Sequence, residues 1–258
     1  MIKYYLFLIG LTLILVGCGN KDKELSKTYT NSIGMKFVLI DAGSFMMGSN
    51  ENENEQPIRE IMLDKSFYLG ATEVTQEQWE KIMDSNPSKV KAATNPVDSV
   101  SWYDIKLFLA KLNMSENSTK YRLPTEVEWE YAAGAASNDT YSFGNDEKEL
   151  KKYAWHYDKK DKIKNMQSNP VGQKIPNRWG LYDMYGNVWE WVESTYDKKF
   201  YAKNPKINFT INTGNTNILK GGSSYNSAEF LRSAARISKP SNYSDDNVGF
   251  RVAVTIED

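Results

Sequence analysis

Residues 180–191 read Gly-Leu-Tyr-Asp-Met-Tyr-Gly-Asn-Val-Trp-Glu-Trp, which places two tryptophans, three glycine or asparagine turn formers and two acids within twelve positions. The stretch is too apolar for a solvated loop and too rich in turn formers for one uninterrupted helix or strand. Asp183 and Glu190 offer carboxylates, and Gly186 and Val188 offer backbone carbonyls at alternate positions. Hard cations such as calcium take that mixture of oxygen ligands. The same residues equally describe a buried aromatic turn, with Trp189 and Trp191 as core and Glu190 in a salt bridge. Spacing alone leaves both readings open.

Working outward, GMKFVLIDAGSFMMGS (34–49), EVTQEQW (73–79), NPVDSVSWYD (95–104) and YRLPTEVEWEYAA (121–133) lie upstream, and LKGGSSYNSAEFLRSAAR (219–236) and NVGFRVA (247–253) lie downstream. In this order the motifs resemble the formylglycine-generating enzyme family, also called the sulfatase-modifying factor domain, from about residue 31 to 256. The resemblance implies an α+β, C-type-lectin-like fold with little regular secondary structure. In the family's enzymes two cysteines just after a Gly-Gly-Ser turn bind copper and oxidise a substrate cysteine to formylglycine. Here that turn is Gly221-Gly222-Ser223, followed by Ser224, Tyr225, Asn226, Ser227 and Ala228, with no cysteine. Soft thiolates select copper(I), and serine or asparagine cannot replace them. No copper is therefore expected, and a non-catalytic binding or structural module is preferred. The alternative is a formylglycine-generating oxidase, or a related sulfatase-modifying enzyme, with an atypical active site.

Calcium transfers better than copper. The family's pattern implies one calcium on Asp183, the carbonyls of Gly186 and Val188, and Glu190. A second family site would begin near Trp155, where the enzymes carry asparagine, so its side-chain ligand is missing here. Relatives that make sulfur-containing histidine betaines need several histidines for iron, and this chain has one, His156. Ser223 and Trp189 match positions near the enzymes' active site. A related group, the variable proteins of diversity-generating retroelements, carries its ligand contacts in this C-terminal region. The Ser, Tyr, Asn and Asp content of 223–227 and 241–247 suits adaptable recognition. The candidate ligand-binding residues are accordingly Ser223, Ser224, Tyr225, Asn226, Asn242, Tyr243 and Asp245, on a loop expected to run from 223 to 247 between two strands. Arg232, Arg236 and Arg251 are expected to pair with acids or carbonyls inside the fold.

The N-terminus, MIKYYLFLIGLTLILVGCGN, has Lys3, an apolar run over 4–16 too short to cross a bilayer, and Leu15-Val16-Gly17-Cys18 at its end. It looks like a bacterial lipoprotein signal peptide (1–17), cleaved before a Cys18 that carries the lipid. Residues 18–30 then read as a polar tether and 31–258 as the domain. This predicts an exported protein held to the cell envelope, on the periplasmic or cell-surface side, through the lipid on Cys18. Its ligand would be an extracytoplasmic protein or glycan. Lys+Arg 32 against Asp+Glu 33 gives no basic excess, so nucleic acid is not an expected partner. The single cysteine leaves no disulfide in the domain. Stability must come from packing, for which 258 residues with 40% hydrophobic content suffice, or from packing together with a bound metal.

Local signals predict strands over Phe37–Ile40, Ile61–Leu69, Ile218–Gly222 and Val248–Thr255, with a turn at Gly43-Ser44. Three helices are predicted by their caps: Thr75 with Gln78, Ser101 with Asp104, and Thr125 with Glu128. Gly134 is the expected C′ residue of the third, and Glu126, Glu128 and Glu130 are read as complements of its dipole.

Overall fold

The computed structural model describes residues 25–158, 167–197 and 214–256. The expected signal peptide and Cys18 lie outside them. Eleven strands, four α-helices and three single-turn 3-10 helices make up the described elements. Strand β1 (Thr28–Thr30) pairs antiparallel with β2 (Lys36–Ile40), so residues 28–30, expected to be tether, form a strand of the fold. Gly43–Met47 is strand β3, a correction to the turn expected at Gly43-Ser44, and it forms a hairpin sheet with β4 (Arg59–Leu63). The apolar run over 61–69 breaks at residues 64–66 into β4 and β5 (Phe67–Gly70).

All three predicted caps are present as complete capping boxes. Thr75 opens α1 (Gln76–Met83), Ser101 opens α2 (Trp102–Ser115), and Thr125 opens α3 (Glu126–Gly134). Each box satisfies two backbone donors that a helix start would otherwise leave unpaired. Gly134 closes α3 as its last residue, and Ala135 takes the left-handed cap position at φ 47°. Between α2 and α3 runs the short strand β6 (Tyr121–Arg122), and α4 (Leu150–Tyr153) follows α3. The chain then forms β7 (Trp189–Thr195), β8 (Thr216–Lys220), β9 (Arg236–Pro240), β10 (Val248–Gly249) and β11 (Ala253–Thr255).

Two larger sheets result. One is five-stranded and antiparallel, in the order β1-β2-β5-β11-β6, and the other runs β10-β7-β8-β9 with β10 parallel to β7. The strand expected over Val248–Thr255 is thus two strands in different sheets, and Phe250-Arg251-Val252 crosses between them. A continuous apolar run cannot report such a crossing, since both halves are buried. The loop expected over 223–247 is likewise interrupted by β9, which pairs along β8 from Thr216↔Pro240 to Lys220↔Arg236.

The core fills both sides of this crossing. Trp79 stacks on Phe108 at 5.1 Å, and Phe250 meets both rings edge-on. Trp129, Val192, Ile218 and Leu231 belong to the second cluster, against α3. The acids of α3 do more than complement its dipole, which corrects that expectation. Each is buried and paired: Glu126 with Arg236, Glu128 with Arg122, and Glu130 with Lys220. Among the described residues, no helix is long and apolar enough to cross a membrane.

Candidate functional site

The 180–191 turn is held by its own backbone conformations. Asp183, Gly186 and Asn187 all take positive φ. Only glycine fits at 186, because a Cβ there would lie 2.0 Å from the Trp155 carbonyl oxygen. The Gly186 amide donates to the Gly221 carbonyl and the Asn187 amide to the Trp155 carbonyl, tying two distant segments to one turn. The chain then enters β7, where Trp189 and Trp191 are buried, and the Trp191 indole donates to the Val100 carbonyl at 3.1 Å.

Glu190 points into the fold. Arg251 approaches its two carboxylate oxygens at 2.6 Å each, and the Trp129 indole donates to Oε2 at 2.7 Å. The aromatic-core reading with a salt-bridged Glu190 is therefore realised in the geometry. Arg251 also donates to the carbonyls of Gly70 and Tyr182. Two further buried acids share this cluster. Asp183 accepts from the Gly172 amide through Oδ2, and Glu73 accepts from the Asn187 side chain through Oε2. Their other oxygens, Asp183 Oδ1 and Glu73 Oε1, are buried without a hydrogen-bond partner. Burial, with the neighbouring Asp183 and Glu190 charges, pushes the Glu73 carboxyl well above its usual range. Burial likewise raises Asp183 to about 6, against the opposing Gly172 amide and Arg251.

Three carboxylates thus stand around one guanidinium, with two oxygens unanswered. The two unanswered oxygens, on Asp183 and Glu73, are of the hard type that a divalent cation takes, and burying them without a partner is costly. The structure qualifies the sequence expectation in one respect: Glu190 is spent on Arg251 and Trp129. The side-chain oxygens open to a cation are those of Asp183 and Glu73. Among the described residues no three acid, histidine or cysteine side chains converge as a metal-binding group. A cation here would draw its remaining oxygens from backbone, as the Gly186 and Val188 positions suggest.

The C-terminal candidates divide. Ser223 is fully buried; its amide and hydroxyl both donate to Asn226 Oδ1, at 3.1 and 2.7 Å. The Asn226 amide returns to the Ser223 carbonyl, and the Ser224 amide donates to the Asn187 carbonyl. Ser223, Ser224 and Asn226 therefore close a turn in which both serines are buried and Asn226 is half-buried. Tyr225, Asn242, Tyr243 and Asp245 are half-buried or exposed. The Tyr243 hydroxyl donates to Asp245 at 2.6 Å, and Lys239 lies over the Tyr243 ring at 4.7 Å.

Tyr225 lines a cavity of about 80 Å³ with Lys89, Asp98, Gln167, Ser168 and Asp246, and Lys89 pairs with Asp246. Asp98 is pushed up by burial. These partners were missed by sequence reasoning, although Asp98 falls inside the quoted NPVDSVSWYD and Glu73 opens EVTQEQW. Arg232 pairs with Glu55, Arg236 with Glu126 and Arg251 with Glu190, as expected of all three. His156 is half-buried, and burial lowers its pKa.

Mixed sheets, few helices and long connections around a tryptophan-rich turn define an α+β fold of the formylglycine-generating enzyme type, related to C-type lectins. The chain belongs to the sulfatase-modifying factor enzyme 1-like domain family, whose model matches residues 22–256. It is 28% identical over 272 residues to chaperone protein LppX of Paenibacillus barcinonensis, covering 87% of this chain and 89% of that one. It is 26% identical to the formylglycine-generating enzyme of Mus musculus, covering 84% and 74%. Among solved structures, Treponema denticola variable protein 1 superposes with a TM-score of 0.77 at 28% identity, covering 88% of this chain and 98% of that one.

Proposed function

We propose that this chain is a non-catalytic member of its family: an envelope-anchored lipoprotein that binds another exported protein or a glycan. One observation carries the reading. Where the family's enzymes need a thiolate pair after the Gly-Gly-Ser turn, this chain places a closed Ser223–Asn226 turn. The only cysteine in the sequence is Cys18, about two hundred residues away. Full-length similarity to a protein described as a chaperone supports a protein ligand over a small substrate.

The working surface is the edge where Tyr225, Tyr243 and Asp245 lie with Lys89 and Asp246. Rigid scaffolds commonly present recognition on such connections. Calcium held by Asp183, Glu73 and the Gly186 and Val188 carbonyls would fix the turn on which Ser224 rests through Asn187. Cys18 would supply the membrane attachment.

The test offers the protein, with copper and oxygen, a peptide carrying the sulfatase-type cysteine motif. No aldehyde should form at that cysteine, and its formation would overturn the reading. The binding arm is capture of an exported partner, expected to weaken on Tyr225→Ala and Tyr243→Ala.

A further inference from the structure

A second concave surface lies away from the Tyr225 edge, between the β3–β4 hairpin and the turn that follows α3. It is a cleft of about 290 Å³. One wall is apolar: Phe45, Met46, Ile58 and Tyr131. Met46 and Ile58 are 46% and 40% exposed, unusual for unbranched or branched aliphatic residues facing one cleft. The remaining lining is polar: Glu51 comes from the β3–β4 connection itself, and Asp139, whose carboxylate accepts from Ser137 and Asn145, comes from the turn after α3. Two other lining charges cancel within the protein, since Glu130 is paired with Lys220 and Arg232 with Glu55. Glu51 and Asp139 are what remains, so the cleft combines apolar lining with a net acidic charge.

From that juxtaposition we infer that the cleft is a second recognition site, which takes a long basic side chain flanked by apolar residues on an exported protein segment. A lysine or arginine stem would lie along Phe45, Met46, Ile58 and Tyr131, with its charged head toward Glu51 and Asp139. Long basic side chains partition themselves in this way, apolar stem and charged tip. Methionine on the apolar wall adapts its shape to different segments. The volume suits one or two side chains and not a folded domain, so an extended segment is the fitting occupant. The inference rests on the reading of this chain as a binder of exported proteins.

The test uses the full-length protein in phosphatidylcholine nanodiscs and fluorescein-labelled peptides of alternating serine and leucine. One carries a central lysine, a second norleucine in its place, and a third glutamate. Anisotropy should show the lysine peptide binding at least tenfold tighter than the norleucine peptide, with the gap shrinking as salt rises. Glu51→Gln with Asp139→Asn should erase the gap, and Met46→Ser with Ile58→Ser should weaken all three peptides. Equal binding of the lysine and norleucine peptides, or affinities untouched by both double variants, would overturn the assignment. If that happens while partner capture through Tyr225 and Tyr243 persists, only the cleft assignment falls. If capture is absent as well, the binding-module reading falls with it.

Discussion

Arg251 can neutralise one carboxylate, and it meets three. Glu190 holds the direct contact, which leaves Asp183 and Glu73 with a buried oxygen each and no hydrogen-bond partner. Both readings of the 180–191 stretch were legible, because turn formers, tryptophans and acids are local. The partner of Glu190 was not, since Arg251 lies sixty-one residues on, and no periodicity reports a contact at that range. The cluster makes separable predictions for calorimetry with and without calcium. Calcium should raise the melting temperature and chelation lower it, and Asp183→Asn should remove that response. Glu73→Gln should weaken the calcium response while changing the chelated protein little, because burial and the neighbouring acids already disfavour the charged form of Glu73 there. Glu190→Ala should cost about 3–5 kcal/mol in either medium, since it strands Arg251. If chelator changes nothing in a calcium-loaded sample, the turn is aromatic packing only.

At the scale of elements, what was legible was what is local. The three capping boxes need only a hydroxyl and an acid or amide three residues apart, and all three formed. Strand β9 was missed because RISKP alternates weakly and ends in proline, as edge strands do. The acids of α3 show the limit of local reading, since a dipole argument sees their position on the helix and not their partners. Glu130 and Lys220 are both nearly inaccessible and 2.8 Å apart. Glu130→Gln or Lys220→Met alone should each cost about 3–5 kcal/mol, while the two together should cost far less, because the pair's desolvation offsets most of its attraction. Denaturant unfolding of the four proteins checks this, and additive losses would refute it. A second tie has a pH signature. Glu55 is pushed up by burial but pulled further down by Arg232, Ser49 and Asn52, so its folded pKa lies below its ordinary value of 4.5. A depressed carboxylate stabilises the fold above its unfolded pKa and loses that contribution as pH falls through the folded value. Acid titration from pH 5 downward should therefore destabilise the wild type more steeply than Glu55→Gln, and parallel curves would remove Glu55 from the account.

For the molecule as a whole, the fold class and family were legible because six motifs recur in family order, whereas the way the sheets share the C-terminal run was not. The proposed attachment to the membrane is a separate question, since its residues fall within 1–24, outside the described structure. Its argument is sequence chemistry. An apolar run of thirteen residues after Lys3 is too short to span a bilayer, and it ends at Leu15-Val16-Gly17-Cys18. Each buried methylene contributes roughly 0.8 kcal/mol to membrane affinity, so two or three acyl chains on Cys18 would hold the protein stably where one would not. The core and ion pairs of the described residues are built from residue 25 onward. The prediction is therefore double. Mass spectrometry of the mature N-terminal peptide should find Cys18 acylated at the first position. Cys18→Ala should move the protein out of the membrane fraction without changing the melting temperature of its domain. An unmodified Cys18, cleavage at another position, or a variant that stays membrane-bound would each defeat the lipid anchor, and a lowered melting temperature would show that the N-terminal segment takes part in the fold.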